Sequence, residues 1–176
     1  NKTFDKNGYL LVRDILDSQS LVCEVPDLRG TLNFYGSIDT FTHEEFGNQV
    51  DGSVSRYNYP PYKEIHYRLK KRVESIIGEE LYPTYYFDRF YFPGQELTKH
   101  TDRDSCEISV SINIRSNLKD PWPFWIKGCD TYNEDKSEVI EEGKVVSGEL
   151  NPGDGIIYKG CERPHWREPM PGVKRN

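Results

Sequence analysis

An α+β fold, with helices backing a curled double-sheet jelly roll, is predicted by three features of the chain. Apolar residues at helical spacing are confined to its first half. The second half is a series of short apolar runs broken by Gly, Pro and Asn turns, which is the pattern of antiparallel strands. The composition agrees: 35% hydrophobic and 13% aromatic residues, with 12 Tyr and 8 Phe against a single Met, favour packing on sheet surfaces.

Taken in order, Gly8-Tyr9-Leu10-Leu11-Val12-Arg13 reads as a short strand, and Asp14 is placed to cap a helix carrying Ile15, Leu16, Leu21 and Val22. The stretch to about Tyr59 is turn-rich and irregular. A second helix starts at Pro60-Pro61, repeats Tyr62, Ile65, Leu69, Val73, Ile76 and Ile77 at helical spacing, and ends at Gly78. Strand character then marks residues 82–92, 107–114, 123–126, 144–150 and 155–158. In Ile108-Ser109-Val110-Ser111-Ile112-Asn113-Ile114 apolar and polar residues alternate strictly, so one face packs and the other lines a wetter space. Asn151-Pro152-Gly153-Asp154-Gly155 is a turn, and residues 130–143 are polar enough for an exposed loop.

The 176 residues suit a single domain, 1–176, with its core at about 82–176. The chain begins at Asn1 rather than Met and stops abruptly at Val173-Lys174-Arg175-Asn176, so residues are expected to be missing at both ends, and the family resemblance drawn below implies that a C-terminal strand is among them. Lys+Arg 23 against Asp+Glu 29 leaves a net charge of −6, which disfavours nucleic acid as a partner. No apolar run reaches the roughly 18–20 residues that cross a bilayer, and no signal-peptide pattern opens the chain, so no membrane is expected and the setting is read as cytoplasmic. Cys23, Cys106, Cys129 and Cys161 form no CxxC pair; reduced thiols are the default.

Of the four histidines, His43 falls in a polar loop and His66 in the helix. His100 and His165 have more suggestive surroundings. In His100-Thr101-Asp102 the two ligand-type side chains are separated by one residue, so in an extended segment both leave the same face and can close on one ion. His165, directly after Gly155-Ile156-Ile157-Tyr158-Lys159-Gly160, is the candidate third ligand. Two imidazoles and one carboxylate form the facial triad expected of non-haem Fe(II), with open positions opposite; zinc prefers a compact tetrahedral set and magnesium prefers oxygen ligands. An HxD pair alone is common and carries little weight, so its context matters.

That context resembles a family. Arg89-Phe90-Tyr91-Phe92-Pro93-Gly94-Gln95 followed by His100-Thr101-Asp102, and then Leu150-Asn151-Pro152-Gly153-Asp154-Gly155-Ile156-Ile157-Tyr158 with Pro164-His165-Trp166-Arg167, is similar in order and separation to the prolyl 4-hydroxylase-like Fe(II)/2-oxoglutarate-dependent dioxygenases. The likeness covers roughly residues 82 to 175. It implies a double-stranded β-helix with Fe(II) on His100, Asp102 and His165, 2-oxoglutarate as cosubstrate, and ascorbate as an accessory reductant. The implied reaction is hydroxylation by molecular oxygen of a peptide or protein substrate, at a prolyl side chain as first guess, with release of carbon dioxide and succinate.

The far carboxylate of 2-oxoglutarate needs a cation. The family's spacing beyond the second histidine falls on Lys174 or Arg175, with Arg167 and Arg115 as alternatives and a solvated basic loop as the plain reading of the first two. Tyr91 takes the position of a tyrosine that lines the cosubstrate pocket in the family. Asn113, on the polar face of the alternating strand, is placed to reach a bound carboxylate. A packed ring and a solvated sheet face explain these two equally well. Trp166 and Arg167 are candidates for the substrate wall, whereas Trp122 and Trp125 read as core, and Arg103 and Asp104 as solvated charges. Two competing functions remain: a nucleic-acid or small-molecule oxygenase on the same iron site, and a non-catalytic jelly-roll binding module.

Overall fold

The computed structural model describes residues 1–21, 42–43, 49–50 and 53–172. Among the described residues the elements run in the order α1 (Lys2–Asn7), β1 (Tyr9–Val12), β2 (Thr42–His43), β3 (Val54–Tyr57), α2 (Lys63–Ile77), β4 (Phe87–Phe90), β5 (Leu97–His100), β6 (Ser109–Ile112), β7 (Phe124–Lys127), β8 (Thr131–Tyr132), β9 (Val139–Glu141), β10 (Val145–Gly148), β11 (Gly155–Tyr158) and β12 (His165–Arg167).

The layers follow from where the apolar side chains go. Sheet β1-β11-β6 and sheet β10-β7-β12-β5 are both antiparallel. Every residue of β11 is buried, which is why Gly155-Ile156-Ile157-Tyr158 is an uninterrupted apolar run rather than an alternating one. Its Ile157 packs with Phe4 of α1, Ile15, and Val73 and Ile77 of α2. Its Ile156 and Tyr158 pack the other way, with Phe124 and Ile126 of β7 and with Leu150. The helices therefore cover one face of the first sheet and the second sheet covers the other. Strand β6 obeys the same rule: Val110 and Ile112 join the helix-side core, leaving Ser109, Ser111 and Asn113 to face the cleft.

Helix α2 matches the sequence expectation closely. A 3-10 turn at Pro60–Tyr62 leads into it, and Gly78 ends it in the left-handed region at φ 79°, its N–H donating to Glu74 O at 2.8 Å. The first helix differs. Ser18–Leu21 is only a 3-10 turn, and Asp14 stands at φ 50° because its N–H and the Arg13 guanidinium are drawn to the Asp154 carboxylate. The expected helix position Val22 lies outside the described residues. The helix is instead α1, capped by Asn1, whose Oδ1 accepts from the N–H groups of Thr3 and Phe4. The expected strand 82–92 shortens to β4, and the exposed segment 130–143 carries the β8-β9 hairpin. No helix among the described residues is long and apolar enough to cross a membrane.

Candidate metal centre

His100 ends β5 and His165 begins β12, and the two strands pair with His165 directly opposite His100. This register, between segments far apart in sequence, brings the two rings to a centroid separation of 4.3 Å. Asp102 follows two residues after His100, its N–H donating to Gly160 O at 2.8 Å, which folds the chain back beside the end of β11. Asp102 Oδ1 then lies 3.5 Å from His100 Nε2 and 3.2 Å from His165 Nε2. One ligand atom from each of the three residues lies within 4.8 Å of the others, a group that can hold a metal ion.

The surroundings fix these donors. His100 Nδ1 donates to Thr98 O at 2.6 Å and His165 Nδ1 to Arg163 O at 2.8 Å. A carbonyl only accepts, so each Nδ1 carries the proton in the neutral ring and each Nε2 lone pair faces the triad. His165 is 1% exposed, held against Tyr158 at 4.7 Å and stacked on Phe124 at 5.7 Å between centroids. Ser109 Oγ donates to Asp102 Oδ2 at 2.8 Å. Burial alone would raise the Asp102 carboxyl, but the adjoining His100 and His165 imidazoles, which can carry positive charge, and the Ser109 hydrogen bond outweigh that and hold it well below the usual carboxylate range. The ligand set is thus an anionic carboxylate and two oriented imidazoles, the donor chemistry of a 2-His-1-carboxylate site.

Gly160 makes this arrangement possible. A Cβ there would come within 2.4 Å of Asp102 Oδ2, 2.4 Å of Ser109 Oγ and 2.7 Å of Cys106 O. Neither Gly160 nor Ser109 is marked by a local motif; only the polar face of β6 hinted at the serine.

The triad lies in a cleft that it lines together with Tyr91, Trp122, Phe124, Tyr158 and Arg167. Arg167 shares this cleft because side chains alternate along β12: His165 and Arg167 face in, Trp166 out. Arg167 Nη1 donates to Trp122 O at 2.9 Å and its guanidinium lies over the rings of Trp122 and Phe124. Among the described residues no carboxylate pairs with it. Burial pulls its pKa down from the usual value, against a smaller upward pull from Tyr91 and Tyr158. A desolvated arginine without a carboxylate is suited to receive an anion.

The other candidates are distributed as follows. Tyr91 lines the cleft, its hydroxyl accepting from Arg89 Nη1 at 3.1 Å and its ring edge-on to Trp122. Asn113 also lines it, but its Nδ2 donates to Leu150 O at 2.8 Å and its backbone is tied to Gly153 and Asp154, so the side chain braces the Asn151–Asp154 turn. Trp166 stacks on Trp125 and under Lys99 on the far side of the sheet. Arg115 is an exposed residue of the cleft rim. Arg103 lies over the Tyr85 ring, and Asp104 is exposed. Lys174 and Arg175 lie outside the described residues. His66 packs against Tyr86, burial lowering its pKa, and His43 belongs to β2.

No protein-family model and no curated protein sequence matches the chain. Solved structures do. A Pseudomonas putida prolyl-4-hydroxylase matches 97% of this chain and 90% of its own at TM-score 0.63 and 12% identity. A Trichoplax adhaerens prolyl hydroxylase, in complex with a hypoxia inducible factor oxygen degradation domain peptide fragment, matches 97% and 81% at TM-score 0.58 and 17% identity. OsALKBH1 matches 93% and 86% at TM-score 0.55 and 16% identity. At these identities the likeness is one of fold.

Proposed function

We propose that this chain is an Fe(II)- and 2-oxoglutarate-dependent oxygenase hydroxylating a peptidyl side chain, with a prolyl residue as first substrate, and that its two main sheets are the halves of a double-stranded β-helix. The observation that carries this reading is the convergence of two Nδ1-anchored imidazoles and one carboxylate in an open cleft, with Arg167 on the same strand face as His165. The fold likeness to two prolyl hydroxylases supports it.

In this reading His100, Asp102 and His165 would hold Fe(II). Iron so held, with 2-oxoglutarate and dioxygen, supplies hydroxylation of a C–H bond. The chain's own contribution is geometric and electrostatic. Thr98 O and Arg163 O keep the imidazoles in the metal-binding tautomer, Ser109 orients the carboxylate, and the packed rings of Phe124 and Tyr158 exclude water behind His165. Arg167 receives the far carboxylate of the cosubstrate, with Tyr91 beside it. Lys174 and Arg175 remain alternatives to Arg167, Asn113 braces the turn rather than the ligand, and Trp166 is not used.

A second reading, oxidation of a nucleobase, is favoured by one feature. Tyr57, Phe87 and Tyr85 form a mutually packed cluster of rings on the cleft wall, with all three centroid pairs 5.1–6.3 Å apart, and arginines lie over two of them. The net charge of −6 weighs against it.

The test is anaerobic addition of Fe(II) and 2-oxoglutarate, which should produce a weak visible charge-transfer band. Admission of oxygen should then release succinate. Loss of neither property in His100→Ala would sink the oxygenase reading. Peptide libraries read for a gain of one oxygen, with single-stranded DNA run in parallel, decide the substrate class.

A further inference from the structure

One side chain close to the triad takes no part in the chemistry proposed above. Gln49 Nε2 lies 2.7 Å from His100 Nε2, and Arg89 Nη2 donates to Gln49 Oε1 at 3.0 Å. The two contacts together settle the amide's orientation. An arginine has only donors, so the oxygen must face Arg89 and the NH2 group must face His100. His100 Nδ1 already donates to the Thr98 carbonyl, so Nε2 is the ring's acceptor and receives the Gln49 N–H. This acceptor is the lone pair that a metal ligand must offer. A metal bonds an imidazole nitrogen at about 2.0–2.1 Å, short of where the amide nitrogen now lies. Both cannot occupy that direction.

The residue that follows Gln49 is anchored: Val50 is 3% exposed, and its carbonyl accepts from Ser53 Oγ at 3.1 Å. On the other side Arg89 is steadied by Tyr91 and by the faces of the Phe87 and Tyr91 rings. The amide is therefore presented to His100 by anchored neighbours.

We propose that Gln49 is a built-in placeholder for the metal: its amide satisfies His100 Nε2 in the metal-free protein, and metal binding must displace it. The Arg89 contact keeps the displaced amide at the rim of the open face. The proposal rests on the metal reading of the triad.

The test is titration of the metal-free protein with Co(II) alone under anaerobic conditions, followed by absorption, for the wild type and Gln49→Ala. Gln49 is exposed, so the variant is expected to fold, which circular dichroism checks. Removing one competing hydrogen bond should tighten Co(II) binding roughly two- to twelvefold, the equivalent of about 0.5–1.5 kcal/mol. In a separate measurement with diamagnetic Zn(II), the Gln49 side-chain NH2 resonances should shift on metal addition. Equal or weaker Co(II) binding by Gln49→Ala, or Gln49 resonances unmoved by Zn(II), overturns the placeholder while leaving the metal site standing. Failure of the wild type to bind Co(II) overturns both.

Discussion

Substituting Gly160 by alanine tests whether the Asp102 carboxylate is positioned by a close approach that only glycine permits. The added methyl would come within 2.4 Å of Asp102 Oδ2, whereas ordinary contact starts at 3.4 Å, so the carboxylate has to retreat by about 1 Å or the β11–β12 turn has to lift away from it. Retreat is resisted on one side by Ser109, whose Oγ also lies 2.4 Å from the new atom. Lifting is resisted by the Asp102 N–H bond to Gly160 O and by Gly160 N–H, which donates to Glu107 O at 3.1 Å. Either way Oδ1 leaves its place between the two Nε2 atoms. Disturbing the support of a metal ligand typically weakens binding ~10–100-fold, and overpacking of this size costs about 1–3 kcal/mol of stability. The assay is Co(II) affinity by absorption beside a urea unfolding curve. Gly160→Ala should bind Co(II) at least tenfold more weakly while still unfolding cooperatively. Ser109→Ala, which removes one hydrogen bond to Oδ2 and adds no atom, should weaken binding less. Wild-type Co(II) affinity in folded Gly160→Ala would refute the argument that this glycine sets the ligand geometry.

Arg167→Ala should leave Co(II) binding intact and weaken 2-oxoglutarate binding by the ~1.5–3 kcal/mol of hydrogen bonds to a charged group, roughly ten- to 150-fold by calorimetry. Arg167→Lys should recover little of it, because a point charge does not reproduce the guanidinium fork. An unchanged 2-oxoglutarate affinity would move the anchor to Lys174, Arg175 or Arg115. Asp154 is 3% exposed and accepts from Asp14 N–H, Asn151 N–H and Arg13, so Asp154→Ala should cost about 2–3 kcal/mol in urea unfolding at neutral pH, with Arg13 counting little because it is half exposed. Burial raises the Asp154 carboxyl, but those three donors hold its pKa below the usual value. A carboxyl depressed in the folded state stabilises above its unfolded pKa of about 3.9 and ceases to do so as pH falls through the folded value. The gap between wild type and variant should therefore close only at acid pH; a gap that persists there would mean that the packing of Asp154, not its charge, supports the turn.

What could be read from the sequence alone was what depends on neighbours along the chain. The one-residue spacing of His100 and Asp102, the strict alternation in β6, the helical repeat and glycine stop of α2, and the turn before β11 are local patterns, and each appears in the structure near its expected place. The six-residue α1 has one buried apolar residue, too little for a periodic signal, and Asp14 looks like a helix cap in the sequence because its actual partner, Asp154, is distant along the chain. Tertiary structure decided everything that needed two segments to meet. The register of β12 against β5 sets His165 opposite His100, so a slip of one residue would point Trp166 into the cleft instead. The approach of Gly160 to Asp102, the Ser109 bond, the inward face of Arg167 and the Gln49 contact have the same origin. The ligand types are a property of the sequence, whereas their convergence on one point depends on how separate strands pair.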